Sequence, residues 1–132
     1  KREIRIRFHP GDKSSSQWAS LVRQWINSGQ PKYQNIVISG ARNLIDEFSH
    51  AHAVVGHNSS PTVASVIEGI PTLVTDPDRA QINGVNQLKW EDLDSPTPYD
   101  RELWIRRLAQ THWTLDEVKA GLAWKHLRNY VK

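Results

Sequence analysis

A chain of 132 residues, 38% hydrophobic and 23% charged, has the length and composition of one ordinary globular domain and excludes a disordered or low-complexity protein. Its 17 basic and 14 acidic residues leave a net charge of +3, which suits an anionic ligand but demands neither a nucleic-acid nor a membrane partner. The absence of Cys rules out disulfide and thiolate chemistry and fits the cytoplasm, and no apolar run is long enough for a transmembrane segment or signal peptide. Because it begins with Lys and contains no Met, the chain is expected to be processed or part of a longer protein.

Residues 3–8 alternate polar and apolar side chains, the period-two pattern of a strand, and stop at His9-Pro10-Gly11-Asp12. A helix capped by Ser14, Ser15 or Ser16 follows. It carries Trp18, Leu21, Val22, Trp25 and Ile26 on one stripe and ends at Gly29. Residues 35–39 give a second strand, and Gly40 or Asn43 leads into a helix with Leu44, Ile45 and Phe48. Residues 51–56 form a nearly continuous apolar run, expected to be a central parallel strand covered on both faces. Ser59 or Ser60 caps the next helix, Pro61 fits its first turn, Val63, Val66 and Ile67 form its buried face, and Gly69 closes it. Residues 71–75 form a fourth strand ending at Asp76-Pro77-Asp78.

Strands alternating with helices of this length predict right-handed crossovers and a parallel sheet with helices on both faces. This α/β domain is assigned to residues 1–92, with a poorly periodic helix over 79–90. Residues 94–98 break the chain, and residues 93–132 are expected to form a helical segment packed on the same domain. Leu103, Trp104, Leu108 and Ala109 line one of its helices. The capping box Thr114-Leu115-Asp116-Glu117 opens the last one, with Val118, Leu122 and Leu127 buried and Trp113 and Trp124 flanking.

Ligands of open parallel sheets bind beyond the carboxyl ends of the strands, and two such ends carry distinctive residues. At Gly56-His57-Asn58-Ser59-Ser60 a glycine permits close backbone approach, two hydroxyls follow and a helix begins, so N–H groups and the helix dipole converge as a phosphate site requires. Ser59 and Ser60 serve equally well as helix caps, a role compatible with phosphate binding. At the other end, His9 before Pro10 is either a solvent-facing loop residue or a donor to a phosphate oxygen. His57 offers the same choice, and His52 reads as a packed or edge residue. No His pair has helical metal-ligand spacing with companion ligands, so no metal site is expected.

Strand-His9-Pro10, then strand-Gly56-x-x-Ser59-Ser60, then a helix ending in Glu68-Gly69-Ile70-Pro71, resembles the C-terminal, donor-binding half of GT-B glycosyltransferases. In particular it is similar to the His-Pro and Ser-Ser motif sialyltransferases and the capsule-type Kdo transferases. The Gly-x-Pro element is shared with MurG-like transferases and UDP-GlcNAc 2-epimerases. The resemblance covers roughly residues 4–90 and implies a Rossmann-like sheet that binds a UDP- or CMP-linked sugar as substrate, with no cofactor. His9, Gly56, His57, Asn58, Ser59 and Ser60 would contact the donor phosphate. Asp78-Arg79-Ala80-Gln81 resembles an Asp-Arg-Gln-Gln stretch of MurG-like enzymes, making Asp78, Arg79 and Gln81 candidates for sugar or phosphate contact. Two features depart from the pattern. The position of a ribose-binding Glu is Ala64, and the N-terminal acceptor domain that usually carries the catalytic base has no counterpart in this sequence, leaving the catalytic residue unassigned.

The resemblance thus implies transfer of a sugar from a nucleotide donor to an acceptor hydroxyl on a glycan, a lipid or modified DNA. A sugar-nucleotide epimerase would use the same half-fold with carboxylates such as Asp76 and Asp78. A non-catalytic α/β domain would bind a partner or nucleic acid through Arg2, Arg5, Arg7, Arg106, Arg107, Lys125 and Arg128, which the sequence scatters rather than clusters with aromatic residues.

Overall fold

The computed structural model describes residues 2–40, 42–85 and 88–131. The chain is mixed α/β and divides into two compact units, Lys1–Asp46 and Glu47–Lys132. Among the described residues there are six α-helices, two 3₁₀ turns and two parallel two-stranded sheets.

The first unit is built on β1 (Ile4–Ile6), α1 (Ser15–Asn27) and β2 (Ile36–Ile38). The strands pair in parallel with Ile4 opposite Ile36 and Ile6 opposite Ile38. Ser14 occupies the N-cap of α1 but makes no side-chain cap bond. Asp12 starts the helix instead, its Oδ1 accepting from Ser14 N–H at 2.9 Å and its carbonyl from Ser15 N–H at 3.0 Å. The apolar stripe of α1 is only partly covered: Ala19 and Val22 are buried, whereas Trp18 and Trp25 are exposed. Trp25 instead stacks on Tyr33 of the 3₁₀ turn Pro31–Tyr33, with centroids 5.7 Å apart and planes 13° from parallel. The short helix α2 (Leu44–Phe48), whose entry Asn43 marks by accepting Ile45 N–H at 3.1 Å, crosses into the second unit.

The second unit is built on β3 (Val54–Gly56), α3 (Ser60–Ile67) and β4 (Thr72–Val74). Val54 pairs with Thr72 and Gly56 with Val74, again in parallel. The strand over 51–56 is shorter than its apolar run, and it is not covered on both faces, because Val55 is 48% exposed. The buried face of α3 also differs from expectation. Val63 and Val66 are buried, Ile67 is 42% exposed, and Thr62 and Ser65 take the remaining inward positions. Those positions are tolerable because Ser65 Oγ lies 2.7 Å from Thr72 Oγ1, while Ser65 donates to Thr62 O at 2.9 Å and Thr72 to Ile70 O at 2.9 Å.

Helix α3 ends in a Schellman turn. Gly69 takes φ +80, Ile70 N–H donates to Ser65 O at 2.8 Å and Gly69 N–H to Val66 O at 3.0 Å. The next segment is fastened here. Tyr99 donates to Ile70 O at 2.9 Å, and the Arg101 guanidinium lies so close over Gly69 that a Cβ there would fall 2.6 Å from Nη1. Trp104 and Leu108 of α4 (Glu102–Thr111) pack with Tyr99 against the core of Val63, Val66, Ala80 and Ile82. Leu103, expected on the packed face, and Ala109 are exposed.

Two helical expectations need correction. Residues 79–85 form turns rather than a helix, with Ala80 and Ile82 plugged into the core, and Asn86 and Gln87 of the same stretch lie outside the described residues. The regular structure that follows is the 3₁₀ turn Trp90–Asp94. The single C-terminal helix is two, α5 (Leu115–Lys119) and α6 (Leu122–Leu127), because Gly121 at φ +73 reverses the chain between them. Val118, Leu122 and Leu127, expected to be buried, are exposed, and the aromatic contacts come from Trp113, His126 and Tyr130, whose rings follow one another at 5.4 and 5.5 Å.

The capping box of α5 is present as expected: Glu117 N–H donates to Thr114 Oγ1 at 3.2 Å, and the Glu117 carboxylate accepts from Thr114 N–H at 2.8 Å. These donors favour the ionised form, backbone N–H first and hydroxyl second, and hold the Glu117 carboxyl below its ordinary 4.5. A carboxyl with a lowered folded-state pKa contributes stability above its unfolded value and loses it as pH falls through the folded value. Glu117 will therefore titrate below 4.5 by carboxyl NMR, and Thr114→Ala will move its midpoint up. In the core, two hydroxyl protons serve three contacts of Ser65 and Thr72, so the pair acts as one unit. Ser65→Ala and Thr72→Val will each cost about 1–2 kcal/mol in denaturant unfolding, and the double variant less than the sum.

Candidate functional site

The loop after β3 owes its shape to a collision avoided. Gly56 sits where a side chain has no room, since a Cβ there would run into Thr62 Cγ2 and lie 3.4 Å from Ser59 Oγ. Thr62 can come that close because both its N–H and its hydroxyl donate to Ser59 O, at 2.9 and 2.6 Å. The first turn of α3 is thereby drawn in against the end of β3.

The cap itself is unlike the one the sequence suggests. Ser59 is the N-cap residue, extended at φ −137 and ψ 153, yet its hydroxyl makes no cap bond to the helix backbone. Pro61, in the first turn, has no N–H to satisfy. Ser59 and Ser60 are exposed, leaving two hydroxyls and the open N-terminus of an eight-residue helix at one point of the surface.

Two side chains of this loop tie it to the segment after β4. His57 Nδ1 lies 2.8 Å from Thr75 Oγ1, and Asn58 Nδ2 donates to Arg79 O at 3.0 Å. Thr75 N–H donates to Gly56 O at 2.9 Å, which joins the two strand ends directly. The structure thus brings together Gly56, His57, Asn58, Ser59 and Ser60, and adds Thr75 and the Arg79 carbonyl. Asn58 is engaged in holding the neighbouring loop. Asp78, Arg79 and Gln81 are exposed on the turns that follow β4, around the buried Ala80.

His9 belongs to the first unit, where it ends the strand segment and is exposed. Gly11 N–H donates to its Nδ1 at 3.1 Å, so the neutral ring carries its proton on Nε2 and presents that N–H as a donor. Its carbonyl accepts from Ser15 Oγ at 2.7 Å and Asp12 N–H at 3.1 Å, fixing the His9-Pro10-Gly11 turn to the start of α1. His52 is exposed in the bend before β3, and its Nε2 lies 2.8 Å from Leu93 O. Among the described residues, no three His, Asp or Glu side chains gather as a metal site would require, and no helix is long and apolar enough to cross a membrane.

Ala64, the position at which the resemblance expects a ribose-binding Glu, is half-buried on α3, and Glu68 is the exposed C-cap of the same helix. Thr62 and Thr75 had no place among the candidate residues. A signal for both existed: a threonine six residues after the loop glycine, and another at the end of the following strand.

The Gly56–Thr62 approach can be tested directly. Gly56→Ala will destabilise the protein by about 1–3 kcal/mol, the usual cost of forcing an extra methyl into a packed contact. Thr62→Ser removes the opposing methyl but keeps the hydroxyl bond to Ser59 O, so adding it to Gly56→Ala will restore most of the loss in thermal unfolding. No family model, curated protein or solved structure matches this chain.

Proposed function

We propose that this chain is the donor-nucleotide-binding part of a glycosyltransferase, in which the loop at residues 56–60 receives the phosphate of a UDP- or CMP-linked sugar. The observation that carries the proposal is the uncommitted cap: a helix start closed on the strand side by Gly56 and Thr62, with the Ser59 hydroxyl free of any bond to the helix it caps. A phosphate oxygen is the acceptor that such a set of donors lacks, and the positive end of α3 favours its charge.

In this role the chain would be a Rossmann-like nucleotide-binding domain of the GT-B kind. Ser59 and Ser60 bind the phosphate through hydroxyl and backbone N–H groups. His57, in the tautomer that accepts from Thr75, carries its proton on Nε2, and His9 offers the same donor in the first unit. As the glycosidic bond breaks, negative charge grows on the leaving phosphate, and donors already in place stabilise it without reorganising. Asp78, Arg79 and Gln81 are the candidates for sugar or further phosphate contact. The acceptor, a glycan, lipid or modified DNA, and the base that deprotonates its hydroxyl belong to an N-terminal acceptor domain. The reaction is assigned to the cytoplasm, where nucleotide sugars would be the donors.

Calorimetry on the full-length protein tests the proposal. The wild type will bind UDP or CMP, and a Ser59→Ala/Ser60→Ala double variant will bind it about 1–3 kcal/mol more weakly, the scale of lost charge-assisted hydrogen bonds. Absence of nucleotide binding by the wild type would sink the proposal.

A further inference from the structure

The geometry points to a second subsite beside the phosphate loop, a groove lined by Trp90 that takes the flat base of the nucleotide; this inference rests on the donor-binding reading of residues 56–60. The groove is a shallow, open depression of about 350 Å³, and Thr75, Pro77, Leu88 and Trp90 line it, with Lys89 and Glu91 as its charged groups. That volume lies at the small end of the range for ligand pockets, enough for a ring system and too little for a partner's helix.

Its place follows from β4. Thr75 lines the groove, and the same residue bonds His57 through Oγ1 and Gly56 through its N–H. A molecule anchored by phosphate at residues 56–60 therefore has the groove as its neighbour across one residue.

Trp90 is 60% exposed, although the turn that carries it is firmly held. Lys89 N–H donates to Asp92 Oδ2 at 3.1 Å, Asp92 N–H to Lys89 O at 3.1 Å, and His52 Nε2 lies 2.8 Å from Leu93 O, linking the turn to the segment before β3. A large aromatic ring is thus presented to solvent on an ordered turn. An apolar ring face next to a phosphate site matches a nucleobase, which stacks on aromatic side chains with little dependence on its identity. Lys89 and Glu91 supply a donor and an acceptor for the edge of the base.

Calorimetry with UDP, CMP and inorganic pyrophosphate separates the two subsites in the full-length protein. Trp90→Ala will weaken UDP and CMP binding by about tenfold or more while leaving pyrophosphate binding within about twofold, and Trp90→Phe, which keeps a stacking face, will retain most of the nucleotide affinity. Thermal unfolding will show Trp90→Ala folded, as its exposure requires. Nucleotide affinity unchanged by Trp90→Ala, or pyrophosphate affinity lost with it, overturns the base subsite and leaves the phosphate site standing. A wild-type protein that binds none of the three ligands overturns both.

Discussion

Helix α3 is pinned at each end by a glycine, and the second unit depends on that double constraint. At its start Gly56 has no Cβ to meet Thr62, so the first turn can close on the end of β3. At its end Gly69 adopts the left-handed conformation that lets Ile70 fold back on Ser65. Between these points lie the fully buried Val66 and the Ser65–Thr72 hydroxyl contact, which lock the helix to β4. The Gly69 turn then becomes the anchor for Tyr99 and Arg101, through which the C-terminal segment reaches the core.

The same constraint shapes the candidate site. Drawing Thr62 onto Ser59 O uses both the N–H and the hydroxyl of Thr62 on one carbonyl and leaves the Ser59 side chain outside the cap. Rigidity comes from across the sheet, where Thr75 and Arg79 hold His57 and Asn58. A loop fixed from below and from the side, with the Ser59 hydroxyl making no bond to the helix it caps, has little conformational entropy left to lose on binding a ligand.

Much of the fold was legible because strand and helix periods are local properties. The four strands, the helices over 15–27 and 60–67 and the capping box at Thr114 all follow from spacing and cap chemistry within a few residues. Burial was less legible, because it depends on which neighbours arrive. Ile67 is apolar but lies off the covered face of α3, whereas Ser65 and Thr72 are polar and satisfy each other inside. The turns over 79–85 stand where a poorly periodic helix was expected; the reason for them is tertiary, since Ala80 and Ile82 both fill the core with Val63 and Val66 of α3. Gly121 is itself a local signal, a glycine in the middle of a short amphipathic stretch, where the left-handed turn divides α5 from α6. In the site, the motif residues 56–60 were found from sequence, but their supports at Thr75 and Arg79 lie 18 and 21 residues away and depend on strand pairing.

The size of α3 limits what the phosphate loop can do alone. Eight residues make a short helix, and a favourable charge at such an N-terminus is worth about 0.3–1 kcal/mol when exposed, with a few hydrogen bonds adding about 1.5–3 kcal/mol each before the cost of association. An open loop of this kind would hold inorganic phosphate only weakly. If the loop serves a nucleotide as proposed, useful affinity must come from a second contact rigidly placed near the first, and stacking supplies about 1–3 kcal/mol for each base. Within this unit Thr75 is the residue through which two such contacts would meet, since it both bonds His57 and lines the groove of Trp90. On the proposed reading, the end of β4, more than the serines themselves, would set the spacing between phosphate and base, and thereby which nucleotides satisfy both.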